Sequence, residues 1–306
     1  MLQFMAYRLL RAVFTMFVVL IIAFLTLRFS GTPFDAMFPE GLTVEAEQAL
    51  IEHWQLDLPL HRQFLNYLGT VAQGDFGQSL FTRERVWDMY AARIAPTLAV
   101  GGLALLLAIF IGIPLGALSA LARGSAAERV AMWVAFLGYA VPHFVIGIGL
   151  ILLFGYHWRM LPTTGLDSVR HYILPVLTLA IPTVAAIARF MRAAMIDAIS
   201  QPHVTAALAK GLSRRKVATD HVLRNATVPL LTLLGLEIAG VVNGSIFVEA
   251  VFSLPGVGRI LVGAVQDRDF PVLQFGVLAY AAIVVLISLV IDLLYTLADP
   301  RVRVEG

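Results

Sequence analysis

Residues 203–229 read HVTAALAKGLSRRKVATDHVLRNATVP, a basic amphipathic stretch set between two long apolar runs. Apolar side chains such as Val204, Ala207 and Leu208 recur at intervals of three and four, which indicates helix. Gly211 lies near the middle, where glycine permits a positive φ and a sharp change of direction. The stretch therefore predicts two short helices that are joined at Gly211.

The composition of the whole chain is that of an integral membrane protein. Of its 306 residues, 59% are hydrophobic and 14% are charged, and the mean hydropathy is +0.84. These values are incompatible with a water-facing surface on a globular chain of this length. The chain has no cysteine, so it offers neither disulfides nor a thiolate nucleophile or metal ligand.

Six apolar stretches are long enough to cross about 30 Å of hydrocarbon, which takes roughly 20 helical residues. They are residues 9–27, 97–121, 130–156, 173–190, 228–252 and 275–297. We therefore expect an all-α fold with six transmembrane helices. The fourth stretch contains Pro175 and Pro182, so we expect a kinked helix whose neighbours satisfy the freed carbonyls.

Basic residues set the predicted orientation and the domain plan. Arginines gather near both ends of the chain and in the loop 191–227, and the positive-inside rule places all three in the cytoplasm. The N-terminal tail and the first span are predicted in residues 1–27. An external segment follows in residues 28–96, with short helices near 44–56 and 60–71. The five-helix core covers residues 97–303, and residues 298–306 form a cytoplasmic tail. The external segment is either a cap on the spans or a surface that also receives a delivery protein.

The basic loop has two physical uses that the residues alone leave equally open. It could dock a protein partner, or it could lie on anionic lipid as an interfacial helix. The chain has only two lysines, Lys210 and Lys216, and neither follows a P-loop glycine pattern. If ATP drives this protein, another polypeptide must bind the nucleotide.

Several motifs resemble those of a known transporter family. AKGL at 209–212 and HVLRN at 221–225 look like the permease loop of ATP-binding cassette (ABC) importers, in the branch for dipeptides, oligopeptides and nickel. The family pattern there is Glu-Ala-Ala, three residues, then Gly; Thr205, Ala206, Ala207 and Gly211 match it except for the glutamate. The resemblance continues in LDLPLHRQFLNYL (56–68), GDFGQS (74–79), LPTTGLDSVRHYILP (161–175), EAVFSLPGVGR (249–259), RDFPVLQ (268–274) and DLLYTLADPRVR (292–303).

The resemblance implies a type I importer permease in a bacterial inner membrane. It implies a second permease subunit, expected to be a different chain, an external solute-binding protein, and two cytoplasmic ATPases that bind ATP and Mg. No cofactor is expected in this chain and no nucleic acid as a partner. By this analogy the loop around Gly211 sits in a cleft of the ATPase. The coupling residues would be His203, Thr205, Ala206, Ala207, Lys210, Gly211, Leu212, Arg214, His221, Arg224 and Asn225.

Polar residues within the predicted spans are candidates for the translocation path, because a charged side chain is costly in hydrocarbon. They are His143, Glu237, Asn243 and Asp292. Glu237 would line a cavity and favour a cationic group such as a peptide amino terminus, or it is a protonated or paired carboxylate between helices. For Asp292 we favour a structural salt bridge or cap. His143, beside a proline, more often bonds a freed carbonyl than a ligand.

An external turn follows the fifth span and contains Glu249, Pro255, Gly256, Gly258 and Arg259. It could act as a gate-like loop, or Glu249 and Arg259 could simply pair across it. The glycines also explain a turn without any function.

The histidines do not predict a metal site, because none has H-x-x-x-H spacing or an adjacent carboxylate cluster. The cargo stays open between peptides and a nickel chelate, an opine, glutathione or a glycoside. Two other classes compete with the importer: a self-sufficient channel or secondary carrier, for which no inverted repeat is evident, and a membrane enzyme, for which no catalytic motif is present.

Overall fold

The computed structural model describes residues 2–31, 34–38 and 40–298, without the side chains of residues 2–5, 35, 36, 53, 214, 215, 221, 224, 227, 228, 292 and 294–298. Its regular structure is helical. The α-helices are α1 (Leu2–Phe29), α2 (Phe34–Met37), α3 (Val44–His53), α4 (Leu60–Ala72), α5 (Val86–Leu121), α6 (Ala126–Ala140), α7 (His143–Leu150), α8 (Val169–Ile199), α9 (Pro202–Ala209), α10 (Arg214–Val217), α11 (Arg224–Val251), α12 (Val257–Gln266) and α13 (Phe270–Ala298). Two π-helical segments, Ile151–His157 and Ala218–Leu223, follow α7 and α10.

Five helices are long and apolar enough to cross a membrane on their own: α1, α5, α8, α11 and α13. The third predicted span, 130–156, is not one continuous helix: α6 meets α7 and its π-helical extension at 102°. Val141 is extended, with φ −87° and ψ 127°, because Pro142 disfavours the α conformation in the residue before it. The sequence carried this signal in Val141–Pro142.

The described residues form two compact units. The first comprises residues 96–255 and 286–298, and the second comprises residues 2–31, 34–38, 40–95 and 256–285. In the second unit, Tyr90 donates a hydrogen bond to the carbonyl of Val272 (2.9 Å), and buried Ser79 donates to Asp269 (2.5 Å). The start of α5 thus belongs to this unit. The helix begins at Val86, earlier than the predicted span, and its buried residues Val86, Met89 and Tyr90 are spaced at the helical repeat.

In the first unit, α8 is the most enclosed of the spans, because 67% of the residues in its apolar 18-residue stretch are buried. It packs on α5 at Gly112 and Gly116. A Cβ on Gly112 would lie 2.8 Å from Ile187, and one on Gly116 would meet the carbonyl oxygen of Ala188 and the Cβ of Met191. Small residues four apart let two helix backbones approach closely, and here they hold α5 against α8.

The two prolines of α8 lie inside a continuous helix. The buried hydroxyls of Thr178 and Thr183 donate to the carbonyls of Leu174 (2.8 Å) and Leu179 (3.0 Å). These bonds satisfy the hydroxyls without an external partner, so both threonines fit within the apolar packing around α8.

Candidate functional site

The loop predicted to dock a partner is a compact helical segment. Only Ser200 and Gln201 separate α8 from α9, and Pro202 begins α9 at a position where a missing N–H costs nothing. We call residues 202–225 the coupling segment. Because the link to α8 is so short, α9 starts directly from the end of a membrane span.

Gly211 ends α9 in a left-handed conformation, with φ +83°. Its N–H donates to the carbonyl of Leu208 (3.0 Å), and the N–H of Leu212 donates to that of Ala207 (3.3 Å). This bond pair is the Schellman arrangement, in which the residue with positive φ is usually glycine. No atom lies within 4 Å of a Cβ built on Gly211, so backbone conformation, not space, calls for glycine. The predicted positive φ and turn are confirmed.

One face of the coupling segment is part of the core of the first unit. Val204 and Ala207 of α9, with Val217 and Val222 further on, are buried in one apolar cluster. The same cluster contains Met195 and Ala198 of α8, and Ala226 and Leu230 of α11. Burial of apolar surface at both ends therefore attaches the segment firmly to two spans.

The opposite face is exposed. Thr205, Ala206 and Lys210 are exposed, and Leu208 has 43% of its surface accessible. The side chains of Arg214, His221 and Arg224 lie outside the described residues. The segment thus presents a partly apolar exposed face while its other face is fixed in the core.

The two ends of the coupling segment are joined by a side-chain hydrogen bond. The amide nitrogen of Asn225 lies 3.0 Å from Nε2 of His203, and the ring nitrogen accepts if it carries no proton. Both residues line an open groove of about 670 Å³ that also exposes Asp197 and Gln201. Asp197 and Gln201 were not predicted from the sequence, because the break between α8 and α9 interrupts the helical repeat that would relate them to His203.

Comparison with known proteins agrees with this geometry. Residues 112–304 match the family described as binding-protein-dependent transport system inner membrane component. The chain belongs to this family. It is 38% identical over 304 residues to the glutathione transport system permease protein GsiC of Escherichia coli (strain K12), covering 99% of each chain.

Other relatives point to the same class of transporter. The dipeptide transport system permease protein DppB of Escherichia coli (strain K12) is 35% identical, covering 89% of this chain and 90% of its own. The MetNI methionine ABC transporter in an inward-facing crystal form gives a TM-score of 0.57 at 17% identity, over 69% of this chain and 96% of that one. An amino acid ABC transporter solved with histidines gives 0.57 at 20% identity, over 68% and 94%. The chain is a multi-pass membrane permease subunit of an ABC importer, with the fold of such subunits.

The permease's intramembrane polar residues do not share one environment. Glu237 is half-buried in α11, and Arg189 lies in α8. The guanidinium of Arg189 lies 4.3 Å from the ring centre of Tyr139. Asn243 is exposed on the face of α11 that also carries Leu236. Of these two polar residues, Asn243 is the one open to a partner or a pathway.

The other two path candidates are less informative. His143 is the first residue of α7, and its ring lies 3.2 Å from the position of a Cβ on Gly244 of α11. It therefore packs against a glycine where α7 meets α11. The side chain of Asp292 lies outside the described residues, so its assignment as a salt bridge or cap stays a prediction.

The external turn spans the two units. In the first, Glu249 is buried at 1% exposure and accepts a hydrogen bond from the hydroxyl of Thr97 (2.6 Å); Pro255 is exposed. In the second, Gly256 caps α12, Gly258 is buried and Arg259 is exposed. Both the gate and the pairing of Glu249 with Arg259 stay predictions.

Metal ligands do not come together in the part of the chain that the structure describes, where no three His, Asp or Glu side chains form a cluster. His157 ends the π-helical segment after α7, and His171 lies in the first turn of α8. The Nδ1 of His171 lies 2.9 Å from the hydroxyl of Ser168, so this histidine takes part in the cap of α8.

Proposed function

We propose that this permease is one half of a bacterial inner-membrane importer that moves short peptides. An external binding protein delivers the peptide, a second and different permease completes the pathway, and two cytoplasmic ATPases bind ATP and Mg²⁺ and dock on the coupling segment. The observation that carries the proposal is the coupling segment itself, which is fixed on one face and exposed on the other.

The coupling role rests on stiffness. A segment that transmits force must move as a unit with the spans, because a flexible loop would absorb the displacement. Here α9 follows α8 after two residues, and the π-helical segment Ala218–Leu223 runs into α11 without a break. The buried cluster around Val204 and Met195 joins the two ends. A push on the exposed face is thus delivered to α8 and α11 as rigid-body movement.

The proposed orientation rests on charge. Between residues 189 and 224 the chain has seven Lys and Arg residues against two Asp residues, and the positive-inside rule assigns such a loop to the cytoplasm. This leaves α3 and α4 on the outer side. Thr43 caps α3, and its hydroxyl accepts a hydrogen bond from the N–H of Ala46. The helical structure of this segment supports its proposed role as a surface for the binding protein.

The proposed cargo rests on the relatives named for glutathione and dipeptides, at 38% and 35% identity. Both cargoes are short peptides with at least one free carboxylate and one amine. A nickel chelate, an opine or a glycoside would be the outcome if peptides fail in the test.

Reconstitution tests the proposal. The chain, purified with its second permease and ATPases and placed in proteoliposomes, should take up a labelled dipeptide or glutathione only with the loaded binding protein outside and ATP inside. Uptake by this chain alone without ATP would instead establish a channel or secondary carrier. Failure to copurify with ATPases would overturn the proposal.

A further inference from the structure

A buried carboxylate, that of Glu128, lies in the first turn of α6. Glu128 is 6% exposed, and its N–H donates to the hydroxyl of Ser125, which caps the helix (3.1 Å). One carboxylate oxygen accepts a hydrogen bond from the N–H of Gly124 (2.5 Å). The side chain thus closes the short link between α5 and α6 into a fixed turn.

The same carboxylate is paired with a distant arginine. Arg192 of α8, 64 residues along the chain, donates from Nε to the other oxygen of Glu128 (2.7 Å), and its Nη2 contacts that same oxygen. Charge-assisted bonds of this kind are directional as well as strong. We call this pair, Glu128 with Arg192, the α6 clamp.

The α6 clamp is attached close to the coupling segment. Arg192 lies seven residues, about two helical turns, before the end of α8 at Ile199. In the turns between, Met195 and Ala198 pack in the same apolar cluster as Val204 of α9. Any displacement of α9 therefore reaches Arg192 through a continuous, packed helix.

The clamp supplies a direction that apolar packing does not. Elsewhere α6 contacts α8 at Gly138, where a Cβ would lie 3.3 Å from Ile181, and at Tyr139, whose ring centre lies 4.3 Å from the guanidinium of Arg189. Neither contact has the fixed geometry of charge-assisted hydrogen bonds to a carboxylate. In the α6 clamp the Glu128 side chain is 6% exposed and the Arg192 side chain 30%. An ion pair withdrawn from water often adds little net stability, because desolvating the charges is costly, so fixing geometry is the better account of its presence.

We propose that Glu128 and Arg192 are positioning residues that make α6 follow the coupling segment during the transport cycle. This inference rests on the proposed importer function. Without the α6 clamp, the ATPases still dock on the exposed face and hydrolyse ATP, but the movement reaches α8 and α11 without carrying α6. Hydrolysis is then partly uncoupled from transport.

The test uses the neutral double variant Glu128→Gln/Arg192→Gln in the full complex in proteoliposomes. Removing both charges avoids leaving the buried Glu128 carboxylate without its partner, as Arg192→Gln alone would. The ATPases should copurify as with wild type, ATP hydrolysis should stay within about twofold, and uptake should fall about tenfold. The ATP consumed per substrate moved should therefore rise.

Arg129→Gln is the matched control. Arg129 belongs to the same turn, and its Nη1 donates to the carbonyl of Gly124 (3.1 Å), but it is exposed and does not reach α8. Its uptake and hydrolysis should match wild type. Arg192→Lys, which keeps the charge and can make one of the bonds, should restore coupling in part.

The outcomes separate clearly. Wild-type ATP use per substrate in the double variant overturns the inference, and so does a proportional fall in hydrolysis and uptake with assembly intact, because that is a structural effect alone. If the wild-type complex shows no ATP-driven uptake, the importer proposal fails instead. Uncoupling in the double variant but not in Arg129→Gln supports the α6 clamp.

Discussion

Gly211 and Gly116 are both glycines in the membrane permease, and the structure needs them for opposite reasons. Gly116 has helical backbone geometry, but a Cβ there would meet the backbone of α8. Gly211 has open space around it but a φ of +83°. The first residue serves packing between spans, and the second serves the shape of an exposed surface. The packing of α5 on α8 and the shape of the exposed face can therefore be changed separately.

The largest expected effect is on packing. Gly116→Ala should destabilise the protein by about 1–3 kcal/mol, because the added methyl group forces α5 away from α8. Gly102→Ala is the control in the same helix, where no atom lies within 4 Å of the new Cβ; alanine should be neutral or stabilising there. Thermal unfolding in detergent measures both. Equal melting temperatures for the two variants would contradict the close approach of α5 and α8.

The next effect separates the two faces of α9. Val204→Ala, on the buried face, should cost about 1–2 kcal/mol of stability from lost apolar burial, since the side chain is 2% exposed. Leu208→Ala, on the exposed face, should leave the melting temperature unchanged and weaken copurification of the ATPases. If Leu208→Ala lowers stability as much as Val204→Ala, the exposed face is not free to receive a partner.

The smallest effect concerns the bond across the ends of the coupling segment. His203→Ala and Asn225→Ala should each cost about 0.5–1 kcal/mol, because the bond is exposed to water. The double variant should cost no more than either single one, since the same bond is lost. Full additivity in chemical unfolding would show that the two side chains act independently.

Local features of this fold could be predicted from the sequence. The turn at Gly211 follows from one glycine between two apolar repeats, and the family pattern identifies the same residue. The break at Val141–Pro142 had an equally local signal, but it lies within a long apolar run. Hydropathy shows how far an apolar run extends along the chain, and it does not show whether the helix bends within that run.

Long-range features could not be predicted, because they depend on which helices meet. The small residues Gly112 and Gly116 suggest a close contact, but nothing in the sequence identifies α8 as the partner. Glu128 and Arg192 lie 64 residues apart, and each alone is an ordinary charge near the end of a span. Only the packing of α6 on α8 makes them a pair.

The central claim is that the exposed face of the coupling segment transmits ATPase movement, and Gly211→Asp tests it most directly. Aspartate tolerates the left-handed conformation better than most residues, so the variant keeps the fold while placing a charge on the exposed face. Gly41→Asp is the matched control, with φ +86° and no atom within 4 Å of the new Cβ. The measurement is ATPase copurification with ATP-driven uptake in proteoliposomes. We predict that Gly211→Asp loses both while Gly41→Asp retains both; wild-type assembly and uptake in Gly211→Asp would contradict the account.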